Sequence, residues 1–264
     1  INKILNRKME FIEYLTQGNV VTFFLLLVRT GALMVFFPFF SNMQIPVVVK
    51  SSLALILAMF LLPMTPRVEL SGLSVEYLVL ESIAELLFGL CAGVLLNIVF
   101  ASLSLAGEQI SMIMGFSMAT VVDPQSGVST PLISNTLTLM ALTAFLLFDG
   151  HHLILQFLAK SAQIMPLGSF YPSQNLLRYI AKSVVNMFLF GFILAFPILA
   201  VSLMADFIFG MLMKTMPQFN LLVVGFPIKI AVAFAVLIAI LSAIIKLFTI
   251  LITAVMNDLP FLFF

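Results

Sequence analysis

The chain of 264 residues contains no tryptophan, one cysteine and two histidines, and only 9% of it is charged. Soluble proteins average about 25% charged residues, so this one cannot clothe a water-facing surface in the usual way. A soluble domain of this length also has too little interior to hide an apolar fraction of 62%. An ordinary soluble enzyme is thereby excluded. The 12 Lys and Arg balance 11 Asp and Glu to a net +1, which leaves no clustered basic face for nucleic acid. The lone Cys91 excludes an internal disulfide and a Cys-based zinc site, and its apolar surroundings predict an inert buried thiol. What remains is a chain for a membrane, or for an assembly that buries nearly every face.

Phenylalanine (28) and methionine (16) are abundant. Tyr14, Tyr77, Tyr171 and Tyr179 sit before or at the start of apolar segments, where a membrane–water boundary would place them. Residues 1–8 precede the first methionine, Met9, so Lys3, Arg7 and Lys8 are left out of any orientation count. The apolar run that follows continues past Arg29 without a small-residue cleavage site, which predicts a retained segment.

Apolar segments fall near 20–40, 45–63, 77–106, 109–122, 132–148, 183–213 and 221–257. Several match the roughly 20 residues that a helix needs to cross a bilayer. The stretches 86–107 and 183–205 carry no charge at all, apart from which the pattern is flawed. Arg29 and Lys50 interrupt the first two segments, Lys229 and Lys246 the last, and Pro38, Pro197 and Pro227 are expected to break or bend helices. Each central charge costs about 2.5–3.5 kcal/mol on insertion scales, so such charges face protein or water. The expectation is an all-α integral membrane protein of broken helices and helical hairpins packed in a complex. Gly89, Gly93, Asn97 and Ala101 recur every fourth residue, a ridge suited to close helix packing. The polar connections are expected at 64–76, 123–131, 149–182 and 214–220, with 149–182 cytoplasmic on the strength of Lys160, Arg178 and Lys182. Beyond 183 the chain reads as one helical hairpin turning at Met216–Asn220.

Enzyme chemistry finds little support. His151 and His152 follow Asp149-Gly150, but adjacent helical residues point about 100° apart and are not expected to ligate one metal together. Ser117 has no basic partner in sequence, and no phosphate-cradling glycine loop is present. No catalysis, cofactor or metal is expected. Glu108, Asp123 and Asp206 flank apolar sequence and suit either proton or cation relay or pairing with Arg29, Lys50, Lys214 or Lys229. Glu108, Asp206, Lys214 and Lys229 are thus candidates for buried ion pairs or proton sites, and a proton-coupled small-substrate transporter using Glu108 and Asp123 stands as the alternative function. Lys214 and Lys229 are expected to face neighbouring subunits or water.

The most unusual stretch is 107–131, an apolar run too short to span. Gly115 and Pro124 mark places where regular helix fails, and irregular backbone at membrane depth survives only inside protein or along a cavity. Met112, Met114 and Met118 bring pliable side chains that either fill an irregular core or close a deformable gate.

The run Met114-Gly-Phe-Ser-Met-Ala-Thr-Val-Val-Asp-Pro124 resembles the signature of the FliR family of bacterial flagellar export-gate proteins. The resemblance continues through Phe148-Asp-Gly-His-His152, Met165-Pro-Leu-Gly168, Met216-Pro-Gln-Phe-Asn220 and Val224-Gly-Phe-Pro-Ile228. Arg29-Thr30, Pro38 and Ile45-Pro46 are similar too, so the likeness covers nearly the whole chain in the family's order. The Val-Asp-Pro and Asp-Gly-His-His wording looks more like flagellar members than their virulence-system relatives.

That resemblance implies a subunit of the type III export gate in the bacterial inner membrane, at the flagellar basal body. It implies assembly with FliP and FliQ, with FlhB attached, contact with membrane lipid, and passage of unfolded flagellar proteins through a central pore. It also implies a FliP-like part over about 1–182 and a FliQ-like hairpin over about 183–264. A plug loop over about 107–124 would close the pore against a methionine-rich gasket from FliP. By that likeness Met112, Met114, Phe116, Met118, Val121 and Val122 form the constriction, Gly115 and Pro124 shape its backbone, and Ser117, Ala119, Thr120 and Asp123 complete the loop. Some relatives carry phenylalanines where Met118 and Val121 stand here, and Phe116 is the aromatic group that this loop retains.

Overall fold

A computed structural model of the chain describes residues 17–37, 40, 45–66, 75–115, 132–216 and 221–264. Among them the regular structure is entirely helical. Helix α1 spans Gln17–Phe36 and α2 spans Val47–Leu61, followed by a short 3₁₀ turn at Leu62–Met64. Helix α3 covers Val75–Met114, α4 Leu132–Leu147, α5 Gly150–Ile164 and α6 Gln174–Thr215. A π-helical turn at Leu221–Gly225 leads into α7, Phe226–Phe263. Five of these helices, α1, α2 with its 3₁₀ turn, α3, α6 and α7 with the end of the π turn, are long and apolar enough to cross a membrane, and α4 with α5 would make a sixth.

Two expectations about segmentation change. The stretch 149–182 is not a polar connection, since it holds α5 and the first turns of α6. Helix α5 buries Ile154, Phe157, Leu158, Ser161 and Ala162, an i, i+3, i+4, i+7, i+8 stripe, and turns Gln156, Lys160 and Gln163 outward. Its outer polar residues are what made it read as loop. Likewise α6 runs unbroken through 182 and 183, and Pro197 lies inside it without ending it. Proline removes one backbone hydrogen bond, a loss that a long apolar helix survives. Pro227 sits at the second position of α7, directly after the π turn Leu221–Gly225, so the wide turn coincides with the backbone N–H that proline lacks.

The chain divides into two compact units, interleaved along the sequence. The first comprises Ile1–Asn97, Gly150–Ala181 and Val255–Phe264. Its core is aromatic: Phe88 lies 5.7 Å from Phe157 in parallel stacking and meets Phe170 and Phe263 edge-on at 5.4 and 5.0 Å. Such pairs add about 0.5–1.5 kcal/mol each beyond area burial. Helices α1 and α2 are joined by the hydroxyl of Thr30, which donates to the Ala54 carbonyl at 3.2 Å. The Tyr179 hydroxyl donates to Asp258 at 2.7 Å, tying the start of α6 to the end of α7.

The second unit comprises Ile98–Asp149 and Lys182–Ala254. Phe100 on α3 packs edge-on against Phe145 of α4 and Phe248 of α7, at 5.9 and 5.0 Å. Helices α3 and α4 approach at Gly107, where a Cβ would come within 2.3 Å of the Ser134 Cα. Only hydrogen fits there, and the Ser104 and Ser134 hydroxyls pair at 2.9 Å beside it. Gly191 does the same for α6, with Leu105 where its Cβ would be.

Candidate functional site

The end of α3 sets up the segment expected to gate a pore. Gly115 closes the helix with φ +87°, a left-handed conformation that a side chain resists, and its N–H donates to the Met112 carbonyl at 3.2 Å. A Cβ added here would lie 3.3 Å from the Phe226 ring, so the first residue of α7 braces this turn. Met114 is fully buried, whereas Met112 is 74% exposed, so the two methionines serve opposite sides of the helix end. Ser111 is buried with its hydroxyl unpartnered among the described residues. Phe116, Ser117, Met118, Ala119, Thr120, Val121, Val122, Asp123 and Pro124 lie outside the described residues.

The other expected residues are placed as follows. Gly89 and Gly93 face α1, where Cβ atoms would come within 2.5 Å of Ala32 and 2.4 Å of Phe36. Asn97 is exposed and Ala101 half-buried, so the row continues as a pattern beyond the α1 contact. Glu108 and Lys214 are exposed. Asp206 and Lys229 are joined across the hairpin of α6 and α7: the ammonium donates to both carboxylate oxygens, at 2.8 and 2.7 Å. Lys229 is buried, its side chain only 7% exposed, whereas Asp206 stays 49% exposed.

A second polar centre was not foreseen. Arg29 of α1 and Glu85 of α3 form a bidentate pair with both side chains wholly buried; the Nη2–Oε1 distance is 2.8 Å, and Nε donates to the other oxygen. Arg29 also donates to the Ser161 carbonyl and hydroxyl of α5, at 3.1 and 3.3 Å, and lies 4.7 Å over the Phe88 ring. Glu85 in turn accepts the Gly168 N–H at 2.6 Å. That glycine has φ +77° and presses on Glu81, whose Cγ would be 2.4 Å from a Cβ. The Met165-Pro-Leu-Gly168 motif is thus the turn that caps this ion pair. The available signal is Arg29 alone in one apolar segment and Glu81 with Glu85, one helical turn apart, in another. The sequence reading offers Arg29 only Glu108, Asp123 and Asp206, and the structure pairs it with Glu85 instead.

The histidine pair also departs from expectation. The rings of His151 and His152 do not diverge; their centroids lie 4.2 Å apart. On that one turn of chain Asp149, whose φ is +58°, His151 and His152 each bring a ligand atom within 4.8 Å of the others. Three partly exposed ligands fall short of the four of a closed zinc site.

Comparison with known proteins places these features in a lineage. The family model described as bacterial export proteins, family 1, matches residues 20–255. The flagellar biosynthetic protein FliR of Bacillus subtilis is 34% identical over 221 residues, covering 81% of this chain and 84% of its own. The Escherichia coli protein of the same name is 30% identical over 211 residues, 80% of each chain. The Caulobacter vibrioides protein is 28% identical, covering 85% of this chain and 90% of its own. The matched region contains α2 to α6 whole and most of α1 and α7, with the turn at Gly115 and the Arg29–Glu85 centre, and on that breadth the chain belongs to family 1 of the bacterial export proteins, the FliR family.

Proposed function

We propose that this chain is a subunit of the flagellar type III export gate in the bacterial inner membrane, where it lines and closes the pore for unfolded flagellar proteins. The observation that carries this reading is the length and bareness of α6 and α7. They contain 42 and 38 residues, about 63 and 57 Å at about 1.5 Å per residue. The hydrocarbon of a bilayer is only about 30 Å thick. Yet both spans are predominantly apolar, with four charged residues on α6 and three on α7, and only 22% buried within the chain. Apolar surface beyond the reach of lipid needs protein against it, which supports assembly with neighbours such as FliP, FliQ and FlhB.

In this reading the residues after Gly115 plug the pore, with Met112 at the exposed edge of the helix end and Met114 anchoring it. The chain binds no cofactor and makes no bonds; its work is to seal and to yield. Deleting 115–122 from the assembled complex tests this. The complex should still form, because α3 reaches Met114 and α7 is braced elsewhere by Phe100 and Lys229. Small ions should then leak across the membrane. An assembled deletion complex that stays tight would refute the plug. A transporter working alone through Glu108 and Asp123 would instead purify without partners and lose transport on their neutralisation.

A further inference from the structure

The turn between α4 and α5 gathers a carboxylate and two imidazoles within a few consecutive residues. Among the described residues Asp149 is the one non-glycine with positive φ, at +58°. Its N–H donates to the Leu146 carbonyl at 3.2 Å, so it closes α4 in a left-handed conformation that glycine adopts without strain. Aspartate keeps a carboxylate at this position instead. His151 and His152 follow in the first turn of α5, with ring centroids 4.2 Å apart and planes tilted by 36°. One ligand atom from each of the three residues lies within 4.8 Å of the other two. The Nδ1 atom of His151 is buried and has no hydrogen-bond partner among the described residues. Buried polar atoms are nearly always partnered, and an imidazole nitrogen without a partner is open to a cation through its lone pair.

The donor set identifies the ion. Imidazole nitrogen suits zinc, copper, iron and nickel, whereas magnesium and calcium take oxygen ligands. Zinc sites that keep an open position use three protein ligands, two histidines with a carboxylate among them, and leave the fourth place to water. In tetrahedral geometry, bonds of about 2.0–2.1 Å set the donor atoms about 3.3 Å apart, closer than the 4.8 Å limit seen here. Asp149 and His152 are exposed and His151 is half-buried, so rotation about their side-chain bonds can draw the three together. We propose that Asp149, His151 and His152 form an open three-ligand site for a late first-row divalent cation such as zinc or nickel, with water completing its coordination. The ion clasps the chain where α4 gives way to α5 and supplies no bond-making chemistry. The site is independent of the proposed function, so its failure leaves that reading as it stands.

The test uses the full chain without a histidine tag, purified with its partner subunits and stripped of metal by a chelator. Zinc titrated calorimetrically into the complex should reveal one site per copy of this chain, which Asp149→Asn, His151→Gln and His152→Gln each weaken at least about tenfold. Asparagine tolerates the left-handed conformation as aspartate does, so that variant removes the charge and spares the turn. Magnesium in excess should not displace the zinc. X-ray absorption at the zinc edge of the unaltered complex should show two imidazoles and oxygen donors without sulfur, a reading that needs no variant to fold. Zinc should also raise the Tm of the unaltered complex and leave that of His151→Gln unmoved, as a clasp requires. Binding unchanged in all three variants overturns the proposal, as does zinc displaced by magnesium or an equal rise of Tm in both proteins. Loss in the histidine variants with full binding by Asp149→Asn reduces the site to a surface histidine pair and overturns it too. An absorption spectrum with fewer than two imidazoles overturns it whatever the variants do.

Discussion

The Arg29–Glu85 centre makes the sharpest quantitative demand on the fold. Replacing Glu85 by leucine removes the bidentate acceptor and leaves the guanidinium wholly buried, with only the Ser161 oxygens and the Phe88 face for company. Breaking one side of a buried pair costs about 3–5 kcal/mol, because the charge left behind is uncompensated. The Gly168 N–H also loses its acceptor, adding about 1–3 kcal/mol if the turn cannot find water. Replacing both residues, Arg29→Leu with Glu85→Leu, removes the stranded charge. Buried pairs exchanged for apolar residues come out between neutral and about 1–4 kcal/mol more stable, and the orphaned Gly168 N–H offsets part of that gain. The double variant should therefore be at least about 2 kcal/mol more stable than Glu85→Leu alone, a positive coupling between residues 56 apart in sequence. Reversible unfolding in mixed micelles, run on both single variants, the double variant and the unaltered chain, closes the cycle. Losses that simply add, or a Glu85→Leu cost under about 1 kcal/mol, would refute the assignment of a fully desolvated pair.

Other outcomes follow from single contacts. Gly168→Ala should cost about 1–3 kcal/mol in the same assay, because its φ of +77° disfavours a side chain and the new Cβ would meet Glu81. Phe100→Ala should cost about 3–5 kcal/mol, since the ring packs on both Phe145 and Phe248; a loss under about 1 kcal/mol would mean that these rings repack freely. Gly107→Val should separate α3 from α4 and expose engineered cysteines at Ser104 and Ser134 to alkylation, whereas the unaltered helices should protect them. Tyr179→Phe should cost about 1.5–3 kcal/mol through the lost hydrogen bond to Asp258.

How much of this could be read from residues alone depended on whether the signal was local. The long apolar runs and the turn at Gly115 were legible because length, periodicity and one glycine each act within a few residues. The spacing of Gly89 and Gly93 marked a helix surface but not its partner, Ala32 to Phe36 of α1, which is a tertiary fact. Helix α5 was missed because counting polar residues over 149–182 averages across its two sides, whereas Ile154, Phe157 and Leu158 carry the helical period. Arg29 illustrates the limit most clearly. A buried arginine announces that a carboxylate must exist somewhere, but Glu85 became its partner only when α1, α3, α5 and the Gly168 turn met. The stretch from Phe116 to Pro124 reads as a plug only through its likeness to a family, since its sequence carries no period from which a conformation could be derived.

The apolar fraction itself is divided unevenly among the helices. Helix α3 contains 40 residues, about 60 Å, and 67% of its span is buried, so the chain itself covers most of its length. The spans at α2, α6 and α7 are 17%, 22% and 22% buried, and their outer residues include Phe60, Phe196, Phe207 and Ile238. Lipid alone would predict that exposed charges on such helices sit within reach of the interfaces, where long side chains snorkel. Lys246 does not fit that rule simply. It is exposed 20 residues into α7 and 17 short of its end, about 30 and 26 Å from the two ends. A bilayer of about 30 Å centred anywhere on the middle of this helix would submerge it. Either lipid covers only one end of α7 or a neighbouring protein meets Lys246 with an acceptor. Both alternatives place much of the 57 Å outside hydrocarbon, so the number of apolar helices overstates how much of this chain crosses a bilayer.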